Sequence, residues 1–179
     1  MPVRMTEGYN RRPRVVFPHA LEVGISSEDE VVEIELSSWV PPSEFAKRIS
    51  EALPEGLPVK EVQLAPPRRQ SSVAVEAHYR AELDSRDAES AEDGVAEFVA
   101  AASWPIERRQ HNGNVRQIDL RRHVVSLEAN GDTMELRLRL GMPGAAKPRE
   151  VLAAVLGRSP SEALDITLVK TRTLLASPA

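Results

Sequence analysis

The sequence contains no cysteine. This absence excludes disulfide bonds, thiolate metal sites, cysteine nucleophiles and iron–sulfur clusters held by cysteine. Long apolar runs are missing too: no stretch approaches the roughly 18 residues that a membrane-spanning helix needs, and the first residues lack the apolar core of a signal peptide. We therefore expect a cytoplasmic protein with no membrane partner.

Aromatic residues and metal-binding patterns are also scarce. Phe, Trp and Tyr make up only 4% of the 179 residues, whereas proteins that bind single-stranded nucleic acid usually stack bases on such rings. The four histidines show neither HxH nor HxxxH, the short spacings from which local metal sites are built. The sequence therefore predicts no metal site and no bound cofactor.

Charge is abundant but unevenly spread. The net charge of −4 argues against general nucleic-acid binding, yet arginines are concentrated in residues 1–19 and 108–139. Of the 23 basic residues only four are lysine, and the guanidinium fork of arginine suits phosphate and carboxylate groups. A coding bias toward arginine explains the excess equally well, so composition alone leaves both interpretations open.

The first part of the chain predicts a small mixed unit. Residues 14–17 resemble the end of a strand, and residues 31–36, VVEIEL, alternate apolar and acidic side chains as a half-buried strand does. Pro41 and Pro42 favour the start of a helix, and residues 59–64 predict a further short strand. Residues 65–72, rich in proline and polar side chains, are typical of a linker.

The second part predicts the order strand, helix, two hairpins, helix, strand. The elements are a strand over 73–83, a helix capped by Ser90 and ended by Pro105, hairpins with type I′ turns at Asn112-Gly113 and Asn130-Gly131, a helix from Pro148 to Gly157, and a strand within 164–175. The apolar phase changes between the hairpins, which requires a bend near Arg121 and Arg122. We expect this bend to turn both arginines and His123 outward.

These elements predict an α+β fold with two tandem ferredoxin-like units, each a split βαββαβ pattern with an antiparallel sheet. Residues 1–67 would form the first unit, which lacks the opening strand and helix. Residues 68–179 would form the second unit, which carries an extra hairpin. A single mixed α+β sheet is the competing topology.

Two segments resemble a known bacterial family. The matching positions are Gly8, Asn10, Pro13, Arg14, Gly24, Ser27 and Glu30, with Tyr9 at an aromatic position, and in RQIDLRRHV Ile118, Asp119, Leu120 and Arg121. With these residues the chain resembles the radical-SAM-linked proteins, domains of unknown function that occur beside, or fused to, a B12-binding-type radical SAM protein. The resemblance implies such a protein as a partner. Glu7 and Arg11-Arg12 depart from the family pattern, which has Gln and Pro-His there.

The same resemblance bears on the start of the chain. Members of that family usually begin with a strand and a helix that carry Ser-His-Leu-Asp, and this sequence has neither. We therefore expect Met1 to be either an internal methionine or the start of a truncated form.

The first candidate function is a non-catalytic accessory module that presents RNA or a ribosome-related substrate to the radical SAM protein. Because the chain has no cysteine, it is not itself the radical SAM enzyme. The ligand would contact residues of the two arginine-rich segments, namely Tyr9, Asn10, Arg12, Arg14, Arg116, Asp119, Arg121 and Arg122.

Two further candidate functions differ in kind. A metal-independent ribonuclease would use His19 or His123 as general base, beside arginines that stabilise the phosphorus transition state. A structural assembly protein would form homo-oligomers through a sheet edge that the missing first strand leaves exposed.

Overall fold

The structure is a computed structural model and describes residues 1–65, 71–110, 112–142 and 144–176. The chain divides into two compact units. Unit 1 comprises Met1–Pro18 and Val31–Ser72, and unit 2 comprises His19–Glu30 and Val73–Ala179. This division is discontinuous, because residues 19–30 pack with the second unit.

The described residues form nine strands and three α-helices. In chain order they are β1 Val15–Val16, β2 Ser26–Ser27, β3 Glu33–Ile34, α1 Pro42–Ala52, β4 Ala74–Glu82, α2 Ser85–Ala100, β5 Pro105–Arg109, β6 Val115–Asp119, β7 Val124–Asn130, β8 Thr133–Arg139, α3 Pro148–Val155 and β9 Thr167–Leu175. The predicted α+β class is confirmed. No helix within these ranges has the length and apolarity needed to cross a membrane.

Unit 1 is small and has little interior. Its sheet is the antiparallel pair of β1 and β3, and α1 begins at Pro42, as the proline pair predicts. None of its described residues is buried. The strand predicted over 59–64 is wrong, because these residues are irregular. Most of the linker predicted over 65–72 lies outside the described residues.

Unit 2 is built on a five-stranded sheet with the order β2-β9-β4-β8-β7. The central strand β4 is antiparallel to both β8 and β9, and β7 is antiparallel to β8. The short strand β2 runs parallel to β9 at one edge. The first long strand of the unit, β4, therefore lies between the last two strands of the chain, β8 and β9.

The core of unit 2 covers one face of this sheet. Alternate residues of a strand point to the same side, and the alternating residues Ala77, Tyr79, Ala81, Met134, Leu136 and Leu138 join buried residues of α2 and α3 in one cluster. The two helices approach closely where Gly94 of α2 faces α3. A Cβ atom at Gly94 would lie only 2.1 Å from the carbonyl oxygen of Val155.

The start of α2 differs from the sequence-based prediction. The helix begins at Ser85, and the side chain of Asp84 accepts a hydrogen bond of 2.8 Å from the Asp87 backbone N–H. Asp84 is therefore the N-cap, because it satisfies an amide that the first turn leaves without a partner. Ser90, the predicted cap, lies one and a half turns inside the helix, which ends at Ala100.

Both predicted hairpins are confirmed, but their turns differ from type I′. In the β7–β8 hairpin, Asn130 pairs with Thr133 and Gly131 has a φ of 59°. Positive φ at the first loop residue alone is the pattern of a type II′ turn. In the β5–β6 hairpin, Arg109 pairs with Val115, so that the loop is longer than two residues.

The bend predicted near Arg121 is a single 3₁₀ turn, Leu120–Arg122. It reconciles the two apolar phases, because both Leu120 before it and Val124 after it are buried. One expectation is wrong: His123 is not turned outward but is only 5% exposed. The turn rotates the chain so that this imidazole follows Leu120 into the interior.

Residues 19–30 form a segment that we call the strap. Its strand β2 adds to the edge of β9, with Ser26 opposite Val169 and Ser27 opposite Lys170. The strap contributes one buried apolar side chain, Ile25. Its remaining anchors are polar, which distinguishes it from the apolar packing of α2 and α3.

Candidate nucleic-acid interface

The face of the five-stranded sheet opposite α2 and α3, which we call the open face, carries a group of basic side chains. His78 in β4 lies opposite Arg172 of β9 on one side and Arg137 of β8 on the other. Neighbouring strands lie about 4.8 Å apart, so these three residues cross the sheet within about 10 Å. Arg139 lies one same-face position further along β8, opposite Glu76. We call Arg172, His78, Arg137 and Arg139 the basic strip.

Strand alternation produces the basic strip. Ala77, Tyr79 and Ala81 of β4 enter the core, so the residues between them must face the other side. The same reasoning applies to β8, where Leu136 and Leu138 are buried and the arginines beside them are exposed. The antiparallel registers then align the three strands so that their basic residues become neighbours.

Glu76 lies within the basic strip and orients two of its members. Its Oε1 atom is 2.7 Å from His78 Nε2 and 2.7 Å from both Nε and Nη2 of Arg137. Burial disfavours the charged form of Glu76, but the hydrogen bonds from Arg137 and His78 outweigh it and hold the pKa below the ordinary value of 4.5. This carboxylate therefore balances one positive charge of the strip.

Two arginines of the strip have no such carboxylate. Arg139 Nη1 donates to the backbone carbonyl of Arg122 at 3.2 Å, and Arg172 is exposed. Within the described ranges, neither side chain forms an ion pair. The strip therefore carries an excess of positive charge that is available to an anionic ligand.

Acidic groups bound the basic strip toward the β7–β8 turn. The next row across the sheet contains Arg80, Glu135 and Glu128. Arg80 is paired with Glu28 of the strap at 2.8 Å. The basic region of the open face is thus confined to two rows of side chains.

Three residues of the predicted site, Asp119, Arg121 and Arg122, have structural partners at the 3₁₀ turn. Asp119 accepts hydrogen bonds from the backbone N–H groups of Trp104 at 2.8 Å and Arg121 at 3.1 Å. The bond from Trp104 is the main reason that the pKa of Asp119 lies below its ordinary value. Arg122 is mostly exposed and lies 3.3 Å from the Asp119 carboxylate.

Arg121 closes the C-terminal end of α2. Its guanidinium donates to the carbonyl oxygens of Ala101 at 3.3 Å and Val99 at 3.4 Å, and it lies 5.7 Å from the ring centre of Phe98. A cation at this end of a helix satisfies carbonyls that have no partner within the helix. The Ile-Asp-Leu-Arg segment therefore builds the bend and fastens it to α2.

Arg116 and its neighbour Arg108 lie at the β5–β6 hairpin. The Arg116 guanidinium lies against Gly144. Arg108 makes two hydrogen bonds to the carboxylate of Glu150, at 2.6 and 2.5 Å, and one of 2.9 Å to the carbonyl of Ala145. These contacts fasten the hairpin to the start of α3.

The predicted site residues of the first arginine-rich segment lie in unit 1. Tyr9 and Asn10 are exposed at the tip of a loop that a hydrogen bond from Thr6 N–H to the Arg12 carbonyl closes. Arg14 pairs with Glu35 at 2.9 Å. The hydrogen bond from Arg14 is the main cause that lowers the pKa of Glu35. Tyr9, Asn10 and Arg12 therefore share a loop, whereas Arg14 is engaged by a carboxylate.

The two candidate general bases, His19 and His123, belong to unit 2 but have different surroundings. His19 is half-buried, with Nε2 3.3 Å from the Tyr79 hydroxyl. Burial and the charge of Lys170 lower its pKa. His123 is buried, and its Nδ1 has no hydrogen-bond partner within the described ranges. Burial, followed by the charge of Arg108, lowers its pKa. Burial therefore favours the neutral form of both imidazoles.

Among the residues that the structure describes, no three His, Asp or Glu side chains are placed to hold a metal ion.

Comparison with known proteins places the chain in a family. A family model described as "Uncharacterized protein conserved in bacteria (DUF2344)" matches residues 1–155. The chain belongs to this family. Searches of curated proteins and of solved structures returned no significant match.

The strap explains several positions of the N-terminal motif. The Gly24 carbonyl accepts a hydrogen bond of 2.6 Å from Arg149, Ser27 pairs with β9, and Glu30 lies 2.5 Å from the ammonium of Lys170. These contacts hold the strap on unit 2.

Sequence reasoning missed His78, Arg172 and Glu76 as part of a site. The polar alternation in β8 was visible, but the partners of Arg137 and Arg139 come from strands far away in the chain. The predicted βαββαβ pattern places its first strand between its third and fourth, and this order would have brought β4, β8 and β9 together. The signal was therefore present in the strand order and not in any local motif.

Proposed function

We propose that this protein is a non-catalytic accessory module that binds RNA through the basic strip of unit 2. The observation that carries this proposal is the alignment of Arg172, His78 and Arg137 across three strands. Arginine contacts phosphate groups bidentately, and phosphate contacts supply most of the sequence-independent affinity for nucleic acids.

A ferredoxin-like assignment for unit 2 forms part of this proposal. The order strand, helix, strand, strand, helix, strand, with β4 between β9 and β8, is that of a split βαββαβ unit, with the β5–β6 hairpin inserted after the first helix. This architecture covers one face of the sheet with helices and leaves the other for a ligand. For unit 1, the absence of a strand over 59–64 weakens the proposal of a second such copy.

The experiment is an electrophoretic shift with total tRNA over a series of salt concentrations. The test variant combines Arg139→Ala with Arg172→Ala, two exposed residues whose side chains form no described ion pair, and Arg86→Ala, on the helical side, is the matched control. We expect the double variant to bind roughly tenfold more weakly and its salt dependence to flatten by about one unit of slope per arginine. Absent binding, or binding insensitive to salt, would refute RNA as the ligand.

The proposed protein partner is a radical SAM protein. This part of the proposal rests on the resemblance of the N-terminal motif and of the Ile-Asp-Leu-Arg segment, together with the absence of cysteine from this chain. Co-expression with a B12-binding-type radical SAM protein from the same organism, followed by affinity purification, tests the partnership. Elution of the tagged chain alone, at both low and moderate salt, would contradict it.

The ribonuclease alternative is less well supported by the geometry. A general base must reach the ribose hydroxyl of its substrate, whereas His123 is 5% exposed and His19 contacts the buried Tyr79. The assembly alternative has one supporting observation, the two-stranded sheet of β1 and β3, to which the described residues add only the single bridges of Val3 and Met5. Sedimentation at several protein concentrations tests it, since a monomer throughout would exclude it.

A further inference from the structure

We propose that the open face selects base-paired RNA and recognises its backbone rather than its bases. This inference rests on the proposed function and specifies its ligand. Three features carry it. They are the position of the aromatic rings, the arrangement of the arginines, and the neighbouring row of Arg80, Glu135 and Glu128, which we call the acidic row.

Unit 2 offers no aromatic platform on the open face. Residues 73–179 contain only three Phe, Tyr or Trp residues, namely Tyr79, Phe98 and Trp104. Tyr79 and Phe98 are buried in the core, and Trp104 packs on Phe98 with ring centres 5.1 Å apart. Modules that bind single-stranded RNA typically stack splayed bases on aromatic side chains, and this face lacks them.

Among the described residues, His78 supplies the ring that strand alternation places on the open face, and it is poorly suited to stacking. Its Nε2 is held 2.7 Å from Glu76, and its side chain is 23% exposed. A base stacked on this ring would bring its phosphate near the Glu76 carboxylate, which repels it. His78 therefore acts as part of a polar row and not as a platform.

The arginines form an ordered array. Arg172 and Arg137 lie two strand spacings apart, about 10 Å, and Arg137 and Arg139 lie about 7 Å apart along β8. These are spacings of backbone positions, which the strand pairing sets, with a register shift in the β4–β9 pair just beyond His78. A ligand with regularly spaced phosphates binds such an array without first being ordered, whereas a flexible single strand loses conformational freedom.

The acidic row limits how a backbone can cross the sheet. Glu135 and Glu128 lie on the side of the strip toward the β7–β8 turn, and Arg80 in that row is already paired with Glu28. A polyanion is therefore repelled from this row and held over the two basic rows. The two basic rows therefore suit one phosphate backbone that crosses the strands. Such a crossing is expected when a protein contacts the shallow groove of an RNA helix.

The test compares three fluorescent probes of equal length: a fully paired RNA hairpin, an unstructured RNA strand and a DNA hairpin of the same sequence. Fluorescence anisotropy is measured for the whole chain, the Arg139→Ala/Arg172→Ala variant and the Arg86→Ala control. We expect the RNA hairpin to bind about tenfold more tightly than the single strand, which corresponds to about 1.4 kcal/mol, and only the double variant to lose this preference. Hairpins of unrelated sequence should bind equally.

The outcomes separate this inference from the proposed function. Equal or tighter binding of the single strand, still weakened by the double variant, would overturn the preference for base-paired RNA while RNA binding stands. Equal binding of the DNA hairpin would overturn the choice of RNA. Binding of neither RNA probe would overturn both proposals.

Discussion

Lys170, which is fully buried in unit 2, places its ammonium 2.5 Å from Oε1 of Glu30 in the strap. Glu30 precedes every long strand of unit 2, whereas Lys170 lies in β9, the strand to whose edge the strap adds. A buried ammonium without a nearby carboxylate is costly. This pair therefore makes the strap a structural requirement of unit 2.

Glu30→Gln is expected to destabilise unit 2 by about 3 kcal/mol, because it leaves the Lys170 ammonium buried without its partner. The side chain of Glu30 is one-third exposed. Because water partly screens this pair, we expect a loss of stability at the low end of that found when a buried ion pair is broken. Urea unfolding followed by circular dichroism measures it. Adding Lys170→Met should restore most of the loss, since no charge then remains buried; a double variant as unstable as Glu30→Gln would contradict the argument.

Gly94→Ala is expected to lower the free energy of unfolding by about 1–3 kcal/mol. Alanine normally favours a helix interior over glycine by about 1 kcal/mol, but here its Cβ would lie 2.1 Å from the Val155 carbonyl oxygen. Backbone at that position cannot move aside as a flexible side chain does. Thermal unfolding measures the change, with Ser90→Ala, at an exposed position of the same helix, as the control. A Gly94→Ala variant more stable than the wild type would show that α2 and α3 do not approach each other this closely.

Asp119→Ala is expected to cost about 1–3 kcal/mol, because two backbone N–H groups lose their acceptor and the bend loses its support. Arg122→Ala should change stability by less than about 0.5 kcal/mol, since the side chain is 77% exposed and makes only one surface ion pair. Chemical denaturation of both variants distinguishes them. If Asp119→Ala kept its stability but lost RNA binding, Asp119 would be a ligand contact after all.

Stability is expected to decrease as the pH falls from about 7 to 5.5. The pKa values of His19 and His123 lie below the ordinary 6.5, mainly because of burial. The unfolded chain therefore binds more protons than the folded one in this range, so this contribution to stability is complete only well above pH 6.5 and is lost as the pH falls through and below that value. Urea unfolding at several pH values measures the slope. His123→Leu should make it shallower, and an unchanged slope would exclude His123 as a contributor.

Glu28→Gln is expected to strengthen RNA binding about two- to fivefold at low salt and to steepen the salt dependence by about one unit. The substitution releases Arg80, which lies 2.8 Å from Glu28 in the wild-type chain and next to the basic strip. Electrophoretic shifts with tRNA measure both quantities. Glu44→Gln, which removes an equal charge from α1, is the matched control; a similar gain from both variants would indicate a general charge effect.

Local patterns predicted the elements of unit 2 well. The strand over 73–83, both hairpins and the helix from Pro148 are present because alternation, Asn-Gly pairs and proline act over short distances. The start of α2 was misplaced because Asp84 offered a better cap than Ser90. The strand predicted over 59–64 is absent, in a unit where no described residue is buried, so its apolar pattern gained no packing partner.

The candidate site was predicted less well, because its residues meet only through strand order. Asp119 and Arg121 attract attention as a motif, yet their partners are backbone groups of the bend, of Trp104 and of the end of α2. Arg172 and His78 carry no local signal and become neighbours only when β9 and β4 pair. The local motifs of this chain mark residues that stabilise the fold. The surface with excess positive charge arises instead from the pairing of strands that lie far apart in the chain.

The strap also sets the order in which the protein can be completed during translation. Its residues leave the ribosome well before those of β9: Ser27 must wait for Lys170, 143 residues later. Until then the strap has no strand to join, and its acidic side chains remain in water. Unit 2 is therefore complete only when β9 has been made, and a stop codon before β9 would leave the strap without its place in the sheet.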